Sequence, residues 1–464
     1  MKKFNIILAC DSNYGIGKNN KLPWYFSLDM NYFKNITITH SILPDINYEP
    51  NILIMGRKTF ESMGSKPLKN RLSFVITRNT DLLNNNSRNE ITNNILYFNN
   101  FYSAYIKSLE YKLSDVWVIG GSDIYNMALR FWACNKIYLT QINDSFDCDT
   151  FAPFVKNNIE WINELSIPDL NKNDDKIYKL TFKEGIIKNN VETQYLETLH
   201  NVLTSGALRQ TRNAITLSKF NKTLSWDLND GFPLLTTKKM FWKGIVEELL
   251  FFIRGDTNTN LLSDKGVKIW EPNTRRDFLD KLGLDYPEGE MGPMYGYQWR
   301  KFNDDVDQLK IIIDEIKTNP TSRRLLMTDF NPCQVNKGVL YPCHSIVIQM
   351  YVDDNKLSCN MYQRSGDLFL GIPFNIASTS LLVHIIAKLT NLNVGTVNLI
   401  IGDYHIYKNH LDAILEQLSR IPFDLPSLDL PNFSTLEQVE QSTYTDYKII
   451  NYQCNTHIKA DMIA

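Results

Sequence analysis

A thiol and an imidazole stand side by side at Cys343 and His344, in LYPCHS at the mouth of the apolar run SIVIQMYV. Such a pair offers a nucleophile and a base, but a base acts only on a proton within its reach. The segment alternates like a strand, on which adjacent side chains point to opposite faces. His344 is therefore badly placed to deprotonate Cys343, and a reactive thiol here needs another group to lower its pKa; a buried inert thiol is the alternative. YQRSGDLFLGIPFNIAS (Tyr362 to Ser378) offers Arg364, Ser365 and Asp367 as an anion clamp with an acceptor. It also carries Asn375, whose amide has the donor and acceptor that match one edge of a pyrimidine. TSRRLLM adds Arg323 and Arg324, and GDYHIYKNH adds His405 and Tyr407, two apart on an expected strand and so on one face. Each alone is an ordinary surface or core polar group. Together with Cys343 they describe a site for a phosphorylated nucleoside.

The first half of the chain carries a different chemistry. MGRKTF puts Arg57, Lys58 and Thr59 after an apolar strand, VITR repeats the arrangement with Thr77 and Arg78, and VIGGSDIY follows a strand with Gly120-Gly121. Cations and helix-start amides suit phosphate, and glycine lets a ligand lie against the backbone. Three such strand ends in one domain suggest a dinucleotide site, although no GxGxxG follows the first strand, which argues against a Rossmann domain. In LPWYFSLDMNYFK a helix from Leu28 sets Asp29 and Phe33 four apart on one face, beside Tyr32. Asp29 is then either a first-turn capping acid or a site acid with its pKa raised by burial.

The elements that position these groups fall into two textures. As far as Glu184, the short apolar runs FNIILAC, PNILIMG, RLSFVITR, DVWVIGG and KIYLTQI alternate with turns and helices, the pattern of an α/β domain with a mixed, mainly parallel sheet. Asn84 to Asn94 has six asparagines in eleven residues and reads as a solvated loop. Beyond the polar KNNVET, long apolar helices (FWKGIVEELLFFI, IASTSLLVHIIAKL) and interrupted strands indicate an α+β domain. At 464 residues two or three domains are expected, and the boundaries read as 1–186, a junction over 187–192, and 193–464. Residues 1–186 hold 21 basic and 19 acidic groups, leaving 28 and 32 of the total 49 and 51, so no basic field recruits nucleic acid or an anionic membrane. Seven irregularly spaced cysteines make a poor disulfide framework and point to a reducing, cytoplasmic setting. The opening apolar run is too short for a signal peptide or span, and no other stretch suggests one. No cluster has zinc spacing, so no metal is expected, and His200 and His384 read as structural.

Taken in order, GIGKNNKLPW, SLDMNYF, MGRKTFES, PLKNRLSFVITR, VIGGSDIY and FDCDTF resemble dihydrofolate reductase across nearly all of residues 1–186. The resemblance implies that Asp29 binds dihydrofolate and assists protonation at N5, fixed by Thr140, with Leu8, Phe33 and Ile119 walling the pterin and Arg71 pairing with the glutamate carboxylate. It implies NADPH against Ala9, Ile16, Gly17, Arg57, Lys58, Thr59, Thr77, Arg78, Gly120, Gly121, Ser122, Asp123, Ile124 and Tyr125. Phe60 stands where that family usually has tryptophan.

DGFPLLTTKK, FWKGIVEELLFFIRGDTN, GVKIW, RRDFLDKLG, MGPMYGYQWR, SRRLLM, PCHS, YQRSGD, PFNIAS and GDYHIYKNH resemble thymidylate synthase from Tyr195 almost to Ala464. The two together are similar to the bifunctional enzymes of protozoa, in the compact, apicomplexan-like form. This second resemblance implies that Cys343 adds to C6 of dUMP, activated by Arg364, and that 5,10-methylenetetrahydrofolate is the cosubstrate. It implies that Glu248 relays protons and that Tyr295 helps remove the C5 proton. It implies that Asn375 reads the uracil edge, that His405 and Tyr407 hold the deoxyribose, and that His344 keeps a place in the water network. It implies that Arg212, Arg364 and Ser365, with Arg323 and Arg324 from the partner of a two-fold homodimer, hold the phosphate, and that Trp270, Asn273, Asp367 and Gly371 face the folate. TRNAIT lacks the glycines of the family's phosphate loop, Glu271, Pro272 and Phe330 are unusual for it, and so is the tail KADMIA.

Overall fold

The computed structural model describes residues 2–38, 49–84, 94–153, 159–211 and 214–461. Arg212, most of the asparagine-rich loop and the last three residues of KADMIA lie outside the described residues. The chain divides into two compact units, Met1–Asn189 with Ser419–Ile421, and Asn190–Leu418 with Pro422–Ala464.

The first unit is built on an eight-stranded sheet in the order Ile95–Phe98, Arg71–Ile76, Asn51–Gly56, Val116–Val118, Phe4–Cys10, Cys134–Ile142, Lys176–Ile187, Ile159–Asn171. The first six are parallel and the last two join antiparallel. The near-continuous burial of NILIMG, RLSFVI and VWV is what a parallel sheet covered on both faces requires. Alternation along Phe4–Cys10 has a consequence for one site residue. Ile7 packs with Ile119, Tyr32 and Phe33, and Ala9 packs with Trp24 and Phe26. Leu8, expected to wall the pterin, points to the other side, into a small cavity with Cys10, Tyr125 and Leu139.

The second unit centres on a six-stranded sheet in the order Ala207–Gln210, Ile215–Asp227, Asn393–Tyr407, Lys356–Asp367, Val347–Asp353, Leu326–Met327. Its described pairs are antiparallel apart from Lys356–Asp367 with Asn393–Tyr407, whose crossover is the helix Gly371–Leu389. That helix is long and apolar enough to cross a membrane, contrary to the expectation that no stretch suggests a span; most of it is buried in this unit, as a core helix. Two local expectations also change. LYPCHS is a loop rather than a strand, since Ser345 has φ of +50° and the strand starts only at Val347. The polar 187–192 junction is largely ordered: one strand ends at Ile187, a helix capped by Asn190 begins at Val191, and Glu192 is fully buried. The Glu192 carboxylate accepts from the backbone amides and hydroxyls of Thr236 and Thr237, which ties this helix to the TTKK segment.

Candidate active sites

Asp29 lies in the first turn of the helix Ser27–Thr37, and it does not cap it. The carboxylate of Asp169 takes that role, accepting from the Leu28 amide at 2.9 Å, which leaves Asp29 free to face the sheet. It is 9% exposed. Burial raises its pKa to about 6, opposed by a hydrogen bond from Thr140 and reinforced by the charge of Asp169. On the same face stand Phe33, Ile119 and Ile7. Arg71 is buried, donates to Thr37 Oγ1 at 2.7 Å and sits 5.8 Å from the Phe33 ring centroid. At the glycine pair, Gly120 has φ of +103° and a Cβ there meets the Tyr125 ring at 2.8 Å, so only glycine fits. A Cβ on Gly121 lies 3.3 Å from Thr59 Oγ1, which brings RKT and the glycines together. The helix Ser122–Arg130 begins there with no side-chain cap, so its first amides stay available to an anion.

The second unit gathers its chemistry around Cys343. Tyr295 is buried, held at φ of +45°, and its hydroxyl lies 3.5 Å from Cys343 Sγ. Burial raises the thiol pKa; the Tyr295 hydrogen bond opposes this first and the Arg364 charge next. Arg364 is held through the loop itself, donating to the carbonyls of Pro342 and Tyr341 and stacking 5.0 Å over the Tyr341 ring. The His344 ring is stacked flat on Tyr295, 4.3 Å between centroids, and burial lowers its pKa to about 4. It is neutral at physiological pH and a weak base, poorly matched to a thiol whose own pKa burial raises. Trp270 donates its indole N–H to Glu248 at 2.8 Å, and burial raises that carboxyl to about 7. The neighbouring Glu247 is buried in an ion pair with Lys265 and belongs to the core. Asn375 is buried and donates to Gln363 Oε1 at 2.9 Å, which fixes the direction of its amide. His405 and Tyr407 share a face, 5.3 Å apart, with His405 on Asp403 at 3.0 Å.

Family comparisons divide the chain in the same way as its chemistry. The thymidylate synthase family model matches residues 193–464 and the dihydrofolate reductase family model matches residues 3–184. The bifunctional dihydrofolate reductase-thymidylate synthase of Paramecium tetraurelia is 38% identical, with 99% of this chain and 98% of the relative covered. Those of Leishmania major (36%, covering 100% and 95%) and Zea mays (34%, covering 99% and 97%) are similar over their length too. The chain belongs to the bifunctional dihydrofolate reductase-thymidylate synthases. A plant relative among them shows that the arrangement is not confined to protozoa.

In the reductase domain, Ala9 and Ile124 are packed within the fold, and Lys58, Arg78 and Asp123 are exposed. Ile16 and Gly17 lie on the short strand Gly15–Gly17 paired with Thr150–Phe151, and the Ser122 hydroxyl donates to Phe151 O. Thr77 is buried as a turn residue, accepting from the Asn79 amide. Sequence reasoning missed Asp11, a fully buried carboxylate that accepts from the amides of Asn13, Gly15 and Phe146 and so sets the entry to Gly15–Gly17. In the synthase domain, Ser365 donates its amide to Cys343 O at 3.4 Å, and Asp367 caps the turn at Phe369. Gly371 opens the long core helix, and Arg323 and Arg324 are exposed. Asn273 is buried with its amide nitrogen unpartnered among the described residues. Three buried residues of this domain were also missed: Gln363, Asp329 and Lys238. Lys238 donates to Phe369 O, and burial lowers its pKa to about 7. Gln363 was legible in YQRSGD, next to Arg364; nothing in the sequence marks the other two.

Proposed function

We propose that this chain converts dUMP to dTMP at Cys343 and, at a separate site around Asp29, regenerates tetrahydrofolate from the dihydrofolate released. The single observation that carries the synthase assignment is the unbroken run of contacts from Cys343 to Tyr295, Tyr295 to Trp270 and Trp270 to Glu248, with a carboxyl at about 7 ready to exchange protons.

In the synthase step, the Cys343 sulfur forms a bond to C6 of dUMP and C5 becomes the nucleophile for the methylene carbon of 5,10-methylenetetrahydrofolate. The C5 proton leaves, assisted by Tyr295, as the methylene–nitrogen bond breaks and frees tetrahydrofolate, which then gives a hydride to the exocyclic methylene to complete the methyl group and becomes dihydrofolate. Release of the sulfur yields dTMP. Glu248 moves protons to and from O4 through water, and Asn375, oriented by Gln363, reads the pyrimidine edge. The resting thiol is protonated, since burial outweighs Tyr295 and Arg364, so its proton passes to the site water as the sulfur attacks and returns when the sulfur is released. Asp367, Gly371, Trp270 and Asn273 face the folate, the last with an amide nitrogen awaiting a partner.

In the reductase step, NADPH supplies a hydride to C6 of the pterin when bound. The uncapped start of Ser122–Arg130 and the cations Arg57, Lys58 and Arg78 suit its phosphates. Asp29, protonated below about pH 6, binds the pterin and assists protonation at N5, and Ile7, rather than Leu8, joins Phe33 and Ile119 in the wall.

We further propose a homodimer through the synthase sheet. Its open face presents Val347, Tyr351, Tyr362 and Ile400, with Tyr351 at 62% exposure, and Arg323 and Arg324 reach from this domain to the partner's dUMP phosphate. The setting proposed is cytoplasmic, in keeping with seven free cysteines. The test is a paired assay. Cys343→Ser is expected to stop dTMP formation and leave NADPH oxidation with dihydrofolate intact, and Asp29→Asn to do the reverse; loss of both from either change in folded protein contradicts two sites. Mixing Cys343→Ser with Arg323→Glu/Arg324→Glu protein restores dTMP formation if the phosphate site is shared between subunits.

A further inference from the structure

Behind Cys343 runs a buried polar chain that the proposed reaction does not use. Asp329 is 1% exposed, and its Oδ2 lies 2.6 Å from Ser345 Oγ. Ser345 is equally enclosed, and its Oγ lies 3.1 Å from His344 Nδ1. His344 in turn lies flat against Tyr295, whose hydroxyl touches Cys343 Sγ. Asp329 Oδ1 is buried and has no hydrogen-bond partner in another described residue. The titratable groups facing this carboxyl are Cys343 and Tyr295, both of which it disfavours from ionising, while the Arg364 charge acts on Cys343.

A serine hydroxyl has one proton to donate, so the direction of the whole chain is decided at one end. With Asp329 protonated, the acid donates to Ser345, Ser345 donates to His344 Nδ1, and Nε2 must carry the imidazole proton. With Asp329 ionised, Ser345 donates to the carboxylate, His344 donates from Nδ1, and Nε2 is a bare acceptor. One proton is lost overall and the others move one place along. We propose that Asp329 is a positioning residue that selects the tautomer of His344 through Ser345, turning Nε2 from donor to acceptor when the acid loses its proton. Burial raises the Asp329 pKa to about 8, and His344, lowered to about 4, stays neutral throughout that change. The donor tautomer therefore prevails at neutral pH, and ionisation at alkaline pH adds a negative charge that further disfavours the Cys343 thiolate. The consequence for dTMP formation rests on the synthase reading above; the tautomer itself does not.

The test is nitrogen NMR of the full chain with 15N-labelled histidine, His344 being assigned by its loss in His344→Gln. The His344 signals are expected to pass from the Nε2–H to the Nδ1–H pattern around pH 8. In Asp329→Asn, whose amide donates to Ser345 without titrating, the Nε2–H pattern should persist and the alkaline limb of dTMP formation should move to higher pH. In Ser345→Ala the coupling is cut and the transition vanishes. Survival of the synthase unit, from residue 190 onward, under pulse proteolysis reports folding of each variant, and Ser345→Ala decides the matter if Asp329→Asn does not fold. A His344 tautomer that ignores pH in the unmodified chain, or a transition that survives in Ser345→Ala, overturns the proposal. Absence of dTMP formation by the unmodified chain overturns the synthase reading and leaves the tautomer result standing.

Discussion

Replacing Asp29 with asparagine is expected to stabilise the reductase domain while stopping its reaction. Burial lifts the carboxyl from 3.8 to about 6, against the Thr140 hydrogen bond. At about 1.4 kcal/mol per pH unit, holding it ionised in the folded chain costs on the order of 3 kcal/mol. The folded state binds this proton more tightly than the unfolded state, so the penalty is complete above about pH 6, shrinks as pH falls through that value and is gone below 3.8. Asparagine keeps the size and a carbonyl to accept from Thr140, and has no charge to desolvate. Asp29→Asn should therefore raise stability by about 3 kcal/mol at neutral pH and by almost nothing near pH 4. The chain need not unfold as one unit, so pulse proteolysis in urea suits the measurement, with fragments of residues 1–189 assigned by mass. NADPH oxidation should fall on the order of a hundred- to ten-thousand-fold, the scale of a lost general acid. A midpoint unchanged at neutral pH, or full activity in a stabilised variant, refutes the reasoning.

Thr140→Val removes the hydrogen bond that opposes burial, so the pH at which Asp29 loses its proton should rise, read as an alkaline shift of the reductase pH profile; no shift means Thr140 does not act on Asp29. Trp270→Phe takes the indole donor from Glu248, and the limb of dTMP formation set by that carboxyl should move above about 7. A downward shift contradicts the assignment. Gln363→Ala frees the Asn375 amide; the loss of about 1 kcal/mol of orientation should raise the KM for dUMP several-fold with kcat little changed, and equal loss in both parameters argues for general disruption.

The sequence made the two fold classes legible because hydrophobic periodicity changes near Ile187, and the runs NILIMG and RLSFVI are too uniformly apolar for anything but a covered parallel sheet. The site residues of YQRSGDLFLGIPFNIAS were legible because opposite chemical purposes crowd into one segment. Leu8 failed by one place, since a strand inverts every choice of face with a shift of one residue and a short apolar run does not reveal its register. LYPCHS misled for another reason. Its alternation imitates a strand, and the left-handed Ser345 that breaks it is tied to Asp329 and Met361, residues distant in sequence. Asp11, Glu192 and Asp329 were invisible as isolated acids, because what makes them structural or functional is the set of donors brought to them from distant segments.

The central claim is that one chain performs two consecutive reactions at two sites. Purified protein given dUMP, methylenetetrahydrofolate and NADPH, with dTMP and NADPH followed together, tests it directly. The account predicts one NADPH oxidised for each dTMP formed, and in Asp29→Asn continued dTMP formation with dihydrofolate accumulating instead. Accumulation of dihydrofolate by the unmodified chain, or NADPH oxidation from this mixture by Cys343→Ser protein, contradicts it.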